Sequence, residues 1–122
     1  MSKEEVRLVV IDDDVDAASV VSELLRCEGY SVRTGHDAAQ ALDIVAEFRP
    51  LGVLLDLGLP DRDGLEVATH LRRVHGTALV IVAVTGRASE KDKDAALTAG
   101  IDFVIVKPVD MKRLRAIFPA VR

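Results

Sequence analysis

The chain has 122 residues, 49% of them hydrophobic and 30% charged, with a net charge of −4. That is the size and make-up of one globular domain, read here as a single domain over residues 1–122. The acidic balance argues against direct nucleic-acid binding. The lone Cys27 excludes an internal disulfide or a cysteine–zinc site and is expected to be a small buried hydrophobe. No signal-peptide core or membrane-length apolar run is evident, so no membrane contact and a cytoplasmic location are expected.

Residues 6–11 read as a buried strand. Residues 15–28 read as a helix, with Ala18, Val21 and Leu25 at helical spacing and Gly29 as its stop. A short strand, 30–34, precedes a helix at 37–48 that sets Ala38, Ala41, Leu42 and Val45 on one face and ends before Pro50. Residues 51–55 form the next strand, and the loop 56–63 holds the turn formers Gly58, Pro60 and Asp61. A helix at 64–75, the most apolar strand at 79–84, a helix at 90–99 ending at Gly100 and a strand at 103–106 follow. Asp110 is a good N-cap for a last helix running to about residue 118. The aromatics are Tyr30, Phe48, Phe103 and Phe118, so Val, Leu, Ile and Ala must fill the core.

Apolar strands alternating with helices imply a parallel sheet covered on both faces. Right-handed crossovers make it an open, doubly wound α/β sheet. Five units suit the flavodoxin-like (βα)5 order 2-1-3-4-5, whose switch point lies between strands 1 and 3.

Ligands of such sheets bind beyond the carboxyl ends of the strands at the switch point. There the sequence places Asp12, Asp13 and Asp14 after strand 1, Asp56 after strand 3, Thr85 after strand 4 and Lys107 after strand 5. Asp12, Asp13 and Asp56 would crowd one crevice, and like charges at that range repel. A hard divalent cation such as magnesium, which prefers oxygen ligands, removes the conflict. Asp56 stands alone on its strand opposite the acidic pair and is the better nucleophile for an aspartyl phosphate. Lys107, the Thr85 hydroxyl and backbone amides near Gly58 and Gly86 suit the positioning and charge neutralisation that phosphoryl transfer needs. No general base accompanies them, so hydrolysis of the phosphoaspartate is expected to be slow, and the chain is not read as a turnover enzyme.

Each residue also has a plainer reading. Asp14 or Asp16 serves as a helix cap. Thr85 alone is an ordinary strand end and Lys107 alone a solvated lysine. His36, His70 and His75 show no metal-ligand spacing and read as surface residues. The basic last helix (Lys112, Arg113, Arg115) and the partly acidic fourth helix (Glu90, Asp92, Asp94) are either solvated faces or a twofold homodimer face through helix 4, strand 5 and helix 5.

The stretches LVVIDDD, LLDLGLPDRDGLEV, VIVAVTG and VKPVD, in order and each at a strand end, resemble the receiver domain of two-component response regulators over essentially the whole chain. The resemblance implies phosphorylation of Asp56 by a sensor histidine kinase or histidine phosphotransfer protein. It makes Asp13 the more direct ligand of Mg2+, with Mn2+ as a substitute, joined by Asp12, Asp56 and the Gly58 carbonyl. Thr85 and Lys107 would contact the phosphoryl oxygens, and the Lys107–Pro108 bond would be cis. The chain is also similar to receivers attached to hybrid sensor kinases. One position departs from the family: Val104 stands where an aromatic switch residue is usual. Phe103, one residue earlier, should point to the opposite face. Signalling is therefore expected to use backbone shifts of the loop between strand 4 and helix 4. Gly58 and Arg87, two residues after Asp56 and Thr85, are expected to tune the lifetime of the phosphoryl group, Arg87 by shielding it from water.

Three other readings compete. A phosphorylation-independent pseudo-receiver would leave the acidic set unused. A metal-dependent phosphatase of the aspartyl-nucleophile kind needs a second aspartate where Gly58 stands. A flavin carrier would have to cradle phosphate in an Asp-rich loop that repels it.

Overall fold

In the computed structural model, which describes residues 5–119, five parallel strands carry helices on both faces. The chain runs β1 (Arg7–Ile11), α1 (Val15–Cys27), β2 (Ser31–Gly35), α2 (Ala38–Phe48), β3 (Gly52–Asp56), α3 (Gly64–His75), a 3-10 turn (Gly76–Ala78), β4 (Val80–Thr85), α4 (Glu90–Thr98), β5 (Phe103–Val106) and α5 (Met111–Ile117). The sheet order is β2-β1-β3-β4-β5, the doubly wound flavodoxin-like arrangement expected of the sequence. The ends of the expected domain, 1–4 and 120–122, lie outside the described residues.

Strand alternation divides the core in two. Val9, Ile11, Val53, Leu55, Ile81 and Ala83 face α2, α3 and α4. Leu8, Val10, Leu54, Val82, Val84 and Ile105 face α1 and α5. Both faces of the central strands are therefore apolar, as a parallel sheet requires. Phe118 closes the second layer by lying over Gly52. A Cβ there would come within 2.3 Å of the Phe118 ring.

Each helix begins on a side-chain cap, which satisfies backbone N–H groups that have no intrahelical partner. Asp14, Asp37, Asp63 and Asp110 cap α1, α2, α3 and α5, and Ser89 caps α4 in a capping box with Asp92. Of the two aspartates expected to cap α1, Asp14 does so.

Some expectations need correction. Cys27 is exposed at the end of α1 and is no part of the core. On α1 the fully buried positions are Ala18, Ser22 and Leu25, while Val21 is half-buried. The strands β1, β2, β3 and β4 begin one residue later than read from the sequence, and the last three run on through Gly35, Asp56 and Thr85. Backbone pairing is indifferent to side-chain polarity: Asp56 pairs with Val84, and Thr85 with Val106. Among the described residues no helix is long and apolar enough to cross a membrane.

Candidate functional site

Parallel pairing aligns the carboxyl ends of β1, β3, β4 and β5 along one rim of the sheet. There Asp12, Asp13 and Asp56 each offer a carboxylate oxygen within 4.8 Å of the others. Asp12 and Asp56 are buried, and Asp13 is exposed and faces the open side. Lys107 reaches the pair from β5, its Nζ 3.1 Å from Asp56 Oδ2 and 3.4 Å from Asp12 Oδ2. The Lys107–Pro108 peptide is cis.

The two buried carboxylates have different environments. Burial works against the charge of Asp56, but the Gly58 N–H on Oδ1 at 2.8 Å and the Lys107 ammonium outweigh it and hold the group below the usual carboxylate range. Burial pushes Asp12 up. The Asp14 N–H on its Oδ1 at 2.9 Å opposes that rise and the Asp56 carboxylate adds to it. Burial also disfavours the charged form of Lys107, yet Asp56 and Asp12 prevail and hold it above the ordinary lysine range. The Gly58 N–H and the Lys107 ammonium both favour the ionised form of Asp56. Three carboxylates against one ammonium leave an excess of negative charge, and their oxygen donors fit a hard divalent cation such as Mg2+.

Thr85 ends β4 on the same rim, where its hydroxyl donates to the Arg87 carbonyl at 3.0 Å. Arg87 is exposed, and among the described residues it makes no hydrogen bond or ion pair with Asp56; its charge helps hold Asp92 below the usual range, after the bonds from Ser89. Gly58 is exposed, and a Cβ there would sit at an ordinary 3.4 Å from Asp56 Oδ1. Val104 is half-buried and packs on the α2–α3–α4 side, while Phe103 is 42% exposed, as alternation predicts. A cavity of about 310 Å³ lies beside Val104, lined also by Thr85, Ala88, Ala95 and Ala96.

Two features were not read from the sequence as part of the site. His36, expected at the surface, is half-buried, and its Nδ1 lies 3.0 Å from the Asp12 carbonyl oxygen. Asp61, read only as a turn former, crosses to α2 and accepts from Ala38 N at 2.9 and 3.0 Å and from Ala39 N at 3.3 Å. His70 is exposed as expected, and His75 is half-buried at the far end of α3. Of the charges expected to pair across a dimer axis, Arg115 is bound to Glu28 and Asp92 to Ser89.

Residues 8–118 match the family described as the response regulator receiver domain. The chain belongs to that family. Receiver domains of known proteins lie close to it in sequence and in shape. The response regulator MprA of Mycobacterium tuberculosis is 40% identical over 111 residues, 91% of this chain and 48% of that protein. This chain thus spans about half the length of the curated relatives it matches. A CheY-like receiver domain protein from Methanospirillum hungatei is 28% identical, with a TM-score of 0.86 over 93% of this chain and 90% of that one. A response regulator from Burkholderia pseudomallei, solved with a phosphorylated aspartic acid, a calcium ion and citrate, is 26% identical, with a TM-score of 0.85 over 97% of this chain and 67% of that one.

Proposed function

We propose that this receiver domain is a phosphoacceptor switch in which Asp56 takes a phosphoryl group from a phosphohistidine on a sensor histidine kinase or histidine phosphotransfer protein. The observation that carries this is the placement of Asp56: buried, bonded to the Gly58 N–H and 3.1 Å from the Lys107 ammonium. One carboxylate oxygen attacks phosphorus, the P–N bond breaks, and the donor imidazole leaves with its electron pair. Lys107 then balances charge on the phosphoryl oxygens and the Thr85 hydroxyl can turn to donate to one of them. Asp12, Asp13, Asp56 and the Gly58 carbonyl would hold Mg2+, or Mn2+ in its place, and the ion supplies charge neutralisation in phosphoryl transfer. The aspartyl phosphate of the Burkholderia relative supports the reading by likeness.

The donor must reach Lys107. An apolar groove of about 630 Å³ leads to it, lined by Val20, Val21, Leu24, Pro108 and Val109 and edged by Asp14 and Lys107. A donor helix seated there would present its phosphohistidine to Asp56. Output follows from Thr85: turning its hydroxyl to the phosphoryl group releases the Arg87 carbonyl and frees the loop between β4 and α4. Val104 needs no rotamer exchange for that shift. Leu97, Phe103 and Val106 are exposed on α4 and β5 and would form the apolar part of a homodimer face. The domain is not a turnover enzyme, and it works in the cytoplasm.

Incubation with Mg2+ and acetyl phosphate or phosphoramidate tests the assignment. One added phosphoryl mass on the wild type, lost in Asp56→Asn, is expected. No modification, or modification that survives Asp56→Asn, overturns it.

A further inference from the structure

The cation site is built from the loops that follow β1 and β3, whose carboxylates Asp12 and Asp56 both contact Lys107. Asp12 and Asp13 follow β1, and Gly58 lies between β3 and α3. Beyond the pairing of β1 with β3, the turn between β2 and α2, which supplies no ligand, also touches both loops. On one side the Asp12 N–H donates to the Gly35 carbonyl at 3.1 Å, and the His36 ring meets the Asp12 carbonyl at 3.0 Å. The Gln40 side chain steadies this turn by accepting from His36 N at 2.7 Å. On the other side Asp61 binds the free N–H groups of Ala38 and Ala39. Asp37 already caps Gln40 N at 2.8 Å, so α2 carries two carboxylate caps, one of them from a distant loop.

We propose that Asp61 is a positioning residue for the cation site: by pinning the β3–α3 loop to the first turn of α2, it holds Gly58 in place beside the carboxylates of Asp12, Asp13 and Asp56. The inference rests on the cation reading given above. Gly58 itself is exposed, and a Cβ there would meet nothing closer than the Asp56 carboxylate at 3.4 Å, so packing does not set its place. The anchors on its two sides do. Before it, Leu57 N donates to the Val84 carbonyl at 3.1 Å. After it, Leu59 is buried in the core and Asp61 is tied to α2. Ala38, which receives the tie, has no exposed surface, so the anchor point is rigid. Removing the Asp61 carboxylate leaves Gly58 fixed from the Asp56 side and by Leu59 alone.

The test is Mn2+ binding to the unphosphorylated protein, followed by the loss of the free-ion electron paramagnetic resonance signal, with urea unfolding measured in parallel. Asp61→Ala is expected to weaken Mn2+ about tenfold, the scale of outer-shell effects at metal sites. Asp61→Asn keeps an oxygen acceptor and should recover most of the affinity. Ile81→Val, a destabilising change in the core away from the rim, should bind as the wild type does. Equal Mn2+ affinity in Asp61→Ala and wild type overturns the positioning role. So does an affinity loss that Ile81→Val shares, or one that Asp61→Asn fails to recover. If the wild type itself binds no Mn2+, the cation reading falls first, and that outcome is distinct from the others. Should Asp61→Ala not fold, the comparison of Asp61→Asn and Asp61→Ser decides: the positioning role requires the shorter serine to bind more weakly, and equal affinity overturns it.

Discussion

Gly64 is the first residue of α3, and an alanine there would collide with the backbone that follows Asp56. Its Cβ would lie 2.6 Å from Leu57 Cα, 2.9 Å from Leu57 Cδ2 and 3.0 Å from the Leu57 carbonyl oxygen. A flexible side-chain tip could move aside, but the Leu57 backbone cannot easily do so. Its N–H is bonded to the Val84 carbonyl, and it sits between Asp56 and Gly58, which are joined by their own 2.8 Å hydrogen bond. Forcing one methyl into such a site costs about 1–3 kcal/mol. The smaller unfolded-state entropy of alanine returns about 0.4–1 kcal/mol. Gly64→Ala should therefore lose about 1–2 kcal/mol, a fall in Tm of about 4–8 °C for a domain near this size. Gly86 is the matched contrast. It lies outside the left-handed region, and a Cβ there meets nothing within 4 Å. Gly86→Ala should gain about 0.4–1 kcal/mol from the unfolded-state term alone. Urea unfolding of both variants measures the difference, with an unchanged m-value as the condition for comparing them. A Gly64→Ala protein as stable as the wild type, or a Gly86→Ala protein that loses as much as Gly64→Ala, would refute the steric argument.

Two further outcomes are expected. The Ser22 hydroxyl is buried on the inner face of α1 and has no hydrogen-bond partner among the described residues. Such a group costs about 1–3 kcal/mol, so Ser22→Ala should raise stability by about 1 kcal/mol in the same urea assay, and a loss would show that the hydroxyl is satisfied. Asp61 and Asp92 are held below the ordinary carboxylate range by N–H groups of Ala38 and of Ser89. A depressed folded-state pKa gives stability that is present above the unfolded value and is lost as pH falls through the folded one. Tm should therefore decline below about pH 4, where unfolded aspartates titrate. Asp92→Asn, which keeps an oxygen acceptor but does not titrate, should decline less steeply there; parallel curves would count against this linkage.

The wild-type sequence determined the strand–helix alternation, the parallel sheet and, to within a residue, where each strand ends. These follow from local patterns: apolar runs for strands buried on both faces, helical spacing between them, and aspartates at helix starts. The acidic set and Lys107 were legible because in a doubly wound sheet every strand end lies on one rim, so sequence position gives spatial position. Even the exposure of Cys27 follows from spacing. It lies two residues, about 200° of helix, from the buried Leu25, and that outweighs the general tendency of cysteine to be buried.

Tertiary structure alone decided which groups cross between loops. That Asp61 caps a helix more than twenty residues earlier in the chain, and that His36 turns in to the Asp12 carbonyl, depends on how the turns after β2 and β3 come together. No local propensity encodes those meetings. The same holds for the surroundings of Asp12 and Asp56. Both are buried and both accept a backbone N–H, from Asp14 and from Gly58; Asp56 has the shorter Lys107 contact, at 3.1 Å against 3.4 Å. The sequence thus named the charged residues of the site, and packing decided which backbone N–H and which ammonium each of them meets.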